Sequence, residues 1–286
     1  MVNRFTSLLL ILTILLLSAC VNISEKNEFM SNGVKTITEF HSCDPLPDMN
    51  KHVRNSLGLD PANIAFLNWN IYKGNGENWQ KDLTAFAEDH DVMTIQEATL
   101  DEEFTGLLES HDLSWIMNTA FHFNGTSAGV MTVANSNAVH SCGFKVTEPL
   151  IRIPKSTLVS YYKINGSENK LLVANIHGIN FTFGVSTYRE QLEYLYTAIK
   201  HHDGPMIVAG DFNSWSTERM VILKDLSTRL GLKAVTFNKH NRTKVFGHDI
   251  DHIYYRQLTV TDARVIKVNS SDHNPMLVSF RLEESE

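Results

Sequence analysis

"VNSSDHNPMLVSF", residues 268–280, is a polar turn that runs into a strand: Met276, Val278 and Phe280 alternate with Leu277 and Ser279. Asp272 and His273 stand side by side at the mouth of that strand, and Pro275 fixes the turn. A surface loop would be as content with Ser and Lys, so the pair raises the question of partners elsewhere in the chain. Similar strand mouths recur. "NIAFLNWNI" (63–71) stops at Asn70, "DVMTIQE" (91–97) at Glu97 and "KLLVANIHGI" (170–179) at His177. "PMIVAGDF" (205–212) delivers Asp211 with Asn213 behind it, and "HDIDHIYY" (248–255) carries Asp251. A strand end is a rigid platform for aiming a side chain into a shared cleft.

Each residue has a plainer reading. Asn70 suits a turn, Glu97 the cap of a following helix, and His177 an imidazole bonded to backbone at the core edge. Asp211 and Asn213 could form an Asx-turn, with Ser214 or Ser216 as the next N-cap. Asp272 could cap its turn with Ser271. Asp251 inside a strand is harder to dismiss, because a carboxylate there requires a partner. Taken together, the plain readings leave the recurrence at six separate elements unexplained.

Between these strands the pattern is helical at "NWQKDLTAFAEDH" (78–90), "DEEFTGLLES" (101–110), "TYREQLEYLYTAIKHH" (187–202) and "STERMVILKDLSTRL" (216–230). Thr187 with Glu190 predicts a capping box. "AGVMTVAN" (128–135) and "STLVSYYKI" (156–164) add strands, and Asn165-Gly166 turns the latter into the strand at 170. "DARVIKV" (262–268) and "PMLVSFRL" (275–282) close the chain. Helices alternate with strands early and strands dominate later, which predicts a sheet-rich layered α/β domain over 61–284.

The chain has 286 residues, 43% hydrophobic and 20% charged, enough for a sizeable core. A formal charge of −7 argues against a broad basic face for gripping nucleic acid, though not against a nuclease that works through a metal and a few cations. Residues 1–20, "MVNRFTSLLLILTILLLSAC", hold Arg4 and then an apolar run too short to span a bilayer. Leu17-Ser18-Ala19-Cys20 resembles a bacterial lipoprotein cleavage box. That resemblance implies cleavage before Cys20, lipid on its sulfur and amino terminus, and a membrane-anchored chain in the cell envelope. Val21 after the cysteine favours the outer membrane, facing the periplasm. Residues 21–60 are mostly polar, with Pro45 and Pro47, and read as a tether and lead-in. Cys43 and Cys142 either form a disulfide or remain as two buried thiols; sequence gives no geometry to decide.

The order "NWN", "IQE", "NIHG", "GDFN", "DHIYY", "SDHNP" resembles the endonuclease/exonuclease/phosphatase superfamily, the deoxyribonuclease-I-like fold, over about Asn63 to Leu282. Within it, "NIHGINFTFGVSTYREQL" is similar to a bacterial branch of uncharacterised members. The resemblance implies a four-layer α/β sandwich: two packed mixed β-sheets flanked by helices, with the active site at one rim. It implies hydrolysis of phosphate esters by water with Mg²⁺ (or Mn²⁺). On that pattern Glu97, Asn70 and Asp272 are matched to metal binding. His273 is matched to the general base, with a pKa near 6.5 that leaves it part neutral, and Asp251 to its orienter. His177 is matched to phosphate binding or leaving-group protonation, and Asp211 and Asn213 to the surroundings of the scissile phosphate.

The sequence departs from some members of that superfamily. Thr126, Ser127 and Ala128 stand where nucleases place a Glu partner for the second histidine, and Ala134-Asn135 where an Arg is common. The expected substrate is a phosphodiester, either nucleic acid or phospholipid, and a monomer is expected. Lys73, Arg152, Lys155, Arg189, Arg242 and Lys244 are the few cations near the motifs, so affinity for nucleic acid would be modest and salt-dependent. Phe181, Phe183 and Tyr188, just past His177, offer a sphingomyelinase-like alternative; the plainer reading is a loop packing its own rings. A catalytically silent, lipid-tethered binding module on the same fold is the third reading.

Overall fold

The structure is a computed structural model that describes residues 21–32, 34–39, 43–46, 58–111, 113–238 and 241–283. The leader and Cys20 lie outside the described residues.

The chain folds into two sheets. The strands of the larger one are β1 (Val21–Asn22), β2 (Asn27–Ser31), β3 (Val34–Thr38), β4 (Ile64–Asn70), β5 (Val92–Leu100), β6 (Ser114–Phe123), β7 (Thr126–Ala134), β16 (Leu258–Val265) and β17 (Met276–Leu282). They lie in the order β16-β17-β4-β5-β7-β6-β2-β3, with β1 also on β6. The second sheet has the order β12-β15-β11-β10-β9-β8, where β8 is Ala138–Thr147, β9 Pro154–Lys163, β10 Lys170–His177, β11 Met206–Asp211, β12 Lys233–Ala234 and β15 Asp251–Arg256. A small hairpin, β13 (Lys244–Val245) with β14 (His248–Asp249), stands apart. Both sheets are mixed: β4 runs parallel to β5 and β10 parallel to β11, while their other pairings are antiparallel.

Alternation explains the layers. In β11, Ile207 and Ala209 face the other sheet and join Phe66, Val173, Ile253, Val278 and Phe280. Met206 and Val208 face outward against α3 (Ser186–Ile199) and α4 (Thr217–Arg229). On the other side, Leu67, Trp69, Met93 and Ile95 pack under α1 (Trp79–Asp89) and α2 (Glu102–Ser110). A residue pattern of period two in each strand thus gives helix, sheet, sheet, helix. The four-layer sandwich expected from the sequence is what the chain forms.

A buried polar bridge crosses the inter-sheet core. Gln96 Nε2 donates to Asn68 Oδ1 (3.0 Å) on its own sheet and to Asn175 Oδ1 (2.8 Å) on the other. Asn175 Nδ2 returns bonds to the carbonyls of Ile95 (3.2 Å) and Met131 (2.8 Å). These amides come from the same short motifs as the strand-end acids, one step earlier along each strand or two, so they point inward and pin the relative position of the two sheets.

Three expectations change. The tether is not a tether throughout: β2 pairs with β3 and with β6, burying Phe29 and Asn27. The polar text hid this because Asn27, Glu28 and Ser31 are buried against distant partners: Asn27 Nδ2 donates to the Glu39 and Gly143 carbonyls, Ser31 to the Trp115 carbonyl, and Glu28 pairs with Lys35 and His122. The capping box is absent: α3 starts after Val185, which makes no side-chain cap, and Thr187 lies inside the helix. Strands β6 and β8, which complete the two sheets, were not legible as strands. Two open alternatives close. Cys43 and Cys142 are bonded, spanning 99 residues, and Ser216 is the N-cap of α4, accepting from Arg219 N.

Candidate active site

The strand ends meet at one rim of the sandwich. β4 and β5 run parallel, so Asn70 and the residues at the bulge of β5 emerge together. β10 and β11 also run parallel, with His177 in register with Asp211. β15 runs antiparallel to β11, which sets Asp251 opposite Asp211. The turn before β17 brings His273 over the same point. Gly178 allows a close approach: a Cβ there would meet the Phe212 carbonyl oxygen at 2.4 Å. Its N–H donates to the Asp211 carbonyl (2.7 Å).

The backbone is held in costly conformations here. Glu97 has φ 54° within the β5 bulge, Tyr72 and Lys73 have φ 55° and 56°, and Asn213 has φ 48°. Asn tolerates the left-handed region; a Tyr, Lys or Glu there is strained by about 1 kcal/mol or more, and such strain gathers where side-chain aim matters.

Hydrogen bonds connect the groups. His273 Nδ1 donates to Asp251 at 2.9 and 3.1 Å to the two carboxylate oxygens. His273 Nε2 lies 3.9 Å from Asp211 Oδ2, and the same oxygen lies 3.5 Å from His177 Nε2. His177 Nε2 is 3.8 Å from Glu97 Oε1. Asn70 Nδ2 donates to Asp211 Oδ2 (3.1 Å), and Asn213 N to Asp211 Oδ1 (2.9 Å). Asn213 Nδ2 is held by the Gly178 carbonyl (3.0 Å). Ser271 Oγ donates to the Asn70 carbonyl (2.7 Å) and accepts from His273 N (3.1 Å), while Trp69 Nε1 donates to the His273 carbonyl (3.0 Å). Asp272 is exposed and lines the mouth of the same cleft, whose volume is about 410 Å³. All eight strand-end residues picked from the sequence therefore share one site.

Electrostatics set the protonation states. Burial favours a neutral His273, but the charge and hydrogen bond of Asp251, then Asp211 and Asp272, outweigh it and push its pKa up to about 10. The part-neutral imidazole expected from the sequence is thus a protonated one among carboxylates. Burial, reinforced by Asp251, raises Asp211 to about 6 against the pull of His273 and the Asn213 N–H. His177 is the opposite case. Burial, then the positive charges of Lys155, His273 and Lys73, hold it far below its usual value, so its ring is neutral.

Lys155 is the residue the sequence undervalued. It counted there only as one of a few cations, yet its Nζ lies 2.8 Å from His177 Nε2. A neutral ring accepts that bond at Nε2 and carries its proton on Nδ1. The partner of His177 is thus an ammonium on β9 instead of the Glu that the sequence found missing before β7. Its signal was visible only as a lysine opening a strand of the second sheet.

The donor set fits a hard divalent cation. Asn70, Glu97, Asp211, Asp251 and Asp272 offer oxygen, the ligand that Mg²⁺ and Mn²⁺ prefer. Asp211, Asp251 and His273 each place one ligand atom within 4.8 Å of the others. At Glu97 the Lys73 ammonium contacts Oε2, a positive charge standing where a cation would.

Comparison with known proteins agrees with this architecture. The family model described as "Endonuclease/Exonuclease/phosphatase family" matches residues 67–273. The chain belongs to that family. Its relatives include a UPF0294 protein of Vibrio campbellii, 43% identical over 222 residues, covering 76% of this chain and 77% of the relative. A UPF0294 protein of Yersinia enterocolitica is 40% identical, covering 74% and 82%. Among solved structures, an endonuclease/exonuclease/phosphatase from Bacteroides vulgatus superposes with TM-score 0.61 at 19% identity, over 78% of this chain and all of that one. The catalytic domain of human Nocturnin with bound sulfate superposes with TM-score 0.60 at 19% identity, over 79% and 96%. At such identities the two structures speak for the fold, and the family model for hydrolysis of phosphate esters in general.

Proposed function

We propose that this family member is a divalent-metal-dependent phosphodiesterase. The supporting observation is the unbroken chain of contacts from Asp251 through His273, Asp211 and His177 to Glu97 across one open cleft. Glu97, Asn70 and Asp272 would hold the cation, with Asp211 within reach. When bound, it supplies positive charge to the phosphoryl and leaving oxygens and offsets the carboxylates that keep His273 protonated. Asp251 fixes the His273 ring so that Nε2 faces the cleft, where the neutral form accepts a proton from the attacking water. Lys155 presents its ammonium beside His177, placed to carry the charge of a non-bridging phosphate oxygen. Asn70 and Asn213 hold the Asp211 carboxylate in place.

The chain acts, on this reading, as a monomer anchored through lipid on Cys20 in the bacterial envelope, at the periplasmic side of the outer membrane. Nucleic acid and phospholipid are the two phosphodiester classes in view. The exposed phenyl rings of Phe181 and Phe183 beside the cleft favour the lipid more than the acidic surface favours nucleic acid.

The test is a panel of plasmid DNA, sphingomyelin and bis-p-nitrophenyl phosphate, each incubated with the purified chain in Mg²⁺ or in EDTA. Turnover that needs the metal and is lost in His273→Ala supports the proposal, and the substrate cut separates nuclease from lipase. Silence across the panel would instead point to a binding module.

A further inference from the structure

Three loops raise large apolar side chains around the mouth of the cleft. The turn after β8 exposes Leu150 (46%) and Ile151 (44%), the loop after β10 exposes Phe181 (50%) and Phe183 (83%), and the β13–β14 hairpin exposes Phe246 (83%). Ile151 and Phe181 line the cleft itself. The loops are bound into one rim. Glu148 Oε1 accepts from the N–H groups of Asn180 and Phe181 at 2.5 and 3.2 Å. Trp215 Nε1 donates to Asn180 Oδ1 (2.9 Å), and the Trp215 ring meets Phe246 edge-on at 5.9 Å. Several large apolar side chains exposed around the mouth of one cleft mark an interaction site.

Phe246 is held outward against its own preference. It occupies the first central position of a two-residue hairpin turn, with φ 50°, followed by Gly247 with φ 85°. Asn or Gly is favoured there, and a bulky ring in left-handed backbone costs on the order of 1 kcal/mol. Among the described residues its one ring contact is with Trp215, and most of the side chain meets solvent.

The chain also enters the fold on this side. Val21 pairs with Phe123 at the end of β6, and Phe121, two positions back on that strand, lines the cleft with Ala128 and Gly129 of β7. That separation is about 7 Å. The apolar leader and Cys20 directly precede Val21. A chain anchored there leaves the fold from the wall of its own cleft.

We propose that this rim seats on a phospholipid bilayer at the place where the leader delivers the chain. Phe183 and Phe246 enter the headgroup layer, and the cleft opens at headgroup level. Phenyl rings standing singly on separate loops suit a fluid apolar boundary, and the formal charge of −7 offers a polyanion no extended footing. The inference rests on the leader reading of residues 1–20 and is independent of the phosphodiesterase reading.

The test uses the full chain, purified from a bacterial host and reconstituted into vesicles of phosphatidylcholine and phosphatidylglycerol. Phe183→Trp and Phe246→Trp report depth through the difference from unsubstituted protein. Val221→Trp, at an exposed position of α4 (61%), is the control. Both rim tryptophans are expected to shift to the blue and lose emission to brominated lipid, while the control does neither. A chain that stays in solution overturns the proposal, as does one that sediments with vesicles while both rim tryptophans stay unquenched. A blue shift without vesicles that grows with protein concentration assigns the rim to a second copy instead, and also overturns it. None of these readings depends on turnover, so a failed activity panel and a failed docking experiment are distinguishable.

Discussion

The floor of the cleft and its rim are built on opposite terms. On the floor, Asn70, His177, Asp211, Asn213, Asp251 and His273 are buried, sit at strand ends or on the turns just beyond them, and hold one another by hydrogen bonds. On the rim, Leu150, Ile151, Phe181, Phe183 and Phe246 are exposed, sit on loops and touch little. Floor side chains are constrained by several neighbours at once, so a substitution there disturbs geometry, charge and packing together. Rim side chains are largely exposed, so a substitution there disturbs little of the fold. On the proposed readings, chemistry belongs to the rigid part and choice of partner to the part that can vary without harm to the core.

The comparison fails first if the floor proves dispensable. His273→Ala should lower metal-dependent turnover of bis-p-nitrophenyl phosphate by about 10²–10⁴-fold, the usual contribution of a positioned base. A loss below tenfold would remove His273 from the mechanism. Lys155→Met tests the unexpected partner of His177. A loss of about 10–100-fold in kcat/KM is expected, roughly 1.4–2.7 kcal/mol of transition-state stabilisation, with little change in melting temperature.

Behind the floor, Asn175→Leu removes two donated bonds and the acceptor of Gln96 from the inter-sheet bridge. A loss of about 2–4 kcal/mol in urea unfolding is expected, because the remaining carbonyls stay buried without partners. His252 gives a pH signature. Burial, helped by the charge of Arg242, holds its pKa down to about 3. The unfolded ring takes up a proton near 6.5, so the unfolded state binds more protons between those values. The stability this neutral ring confers is complete above pH 6.5 and declines as pH falls toward 3, by up to roughly 1.4 kcal/mol per pH unit. His252→Gln should flatten that part of the curve. The smallest effect belongs to the rim. Phe183→Ser with Phe246→Ser should change unfolding free energy by no more than about 0.5 kcal/mol each. A larger loss would mean that these rings support the fold.

What could be read from the sequence follows the same division. The floor was legible because acids, amides and histidines at strand mouths contradict the apolar run before them. The sandwich was legible from the alternation of helical and strand periods, with the motif order supplying the layers. The pairing of β2 with β3 and β6 was not, because the buried polar residues of β2 meet distant partners such as the Trp115 carbonyl, 84 positions away. Lys155 was overlooked for a similar reason: a lysine at a strand start carries no local sign that a histidine 22 residues later will sit against it. The protonation of His273 depends on three carboxylates from different segments, and only their assembly in space fixes it.

The Ser271 hydroxyl that accepts from His273 N donates to the Asn70 carbonyl, 201 positions back along the chain. The final strand, β17, lies in the interior of its sheet, beside β4. A growing polypeptide therefore carries Asn70, His177, Asp211, Asn213 and Asp251 before it acquires His273, and the floor closes only when the segment leading into β17 is in place. If this floor is the seat of hydrolysis, as proposed, no turnover precedes the insertion of β17 beside β4.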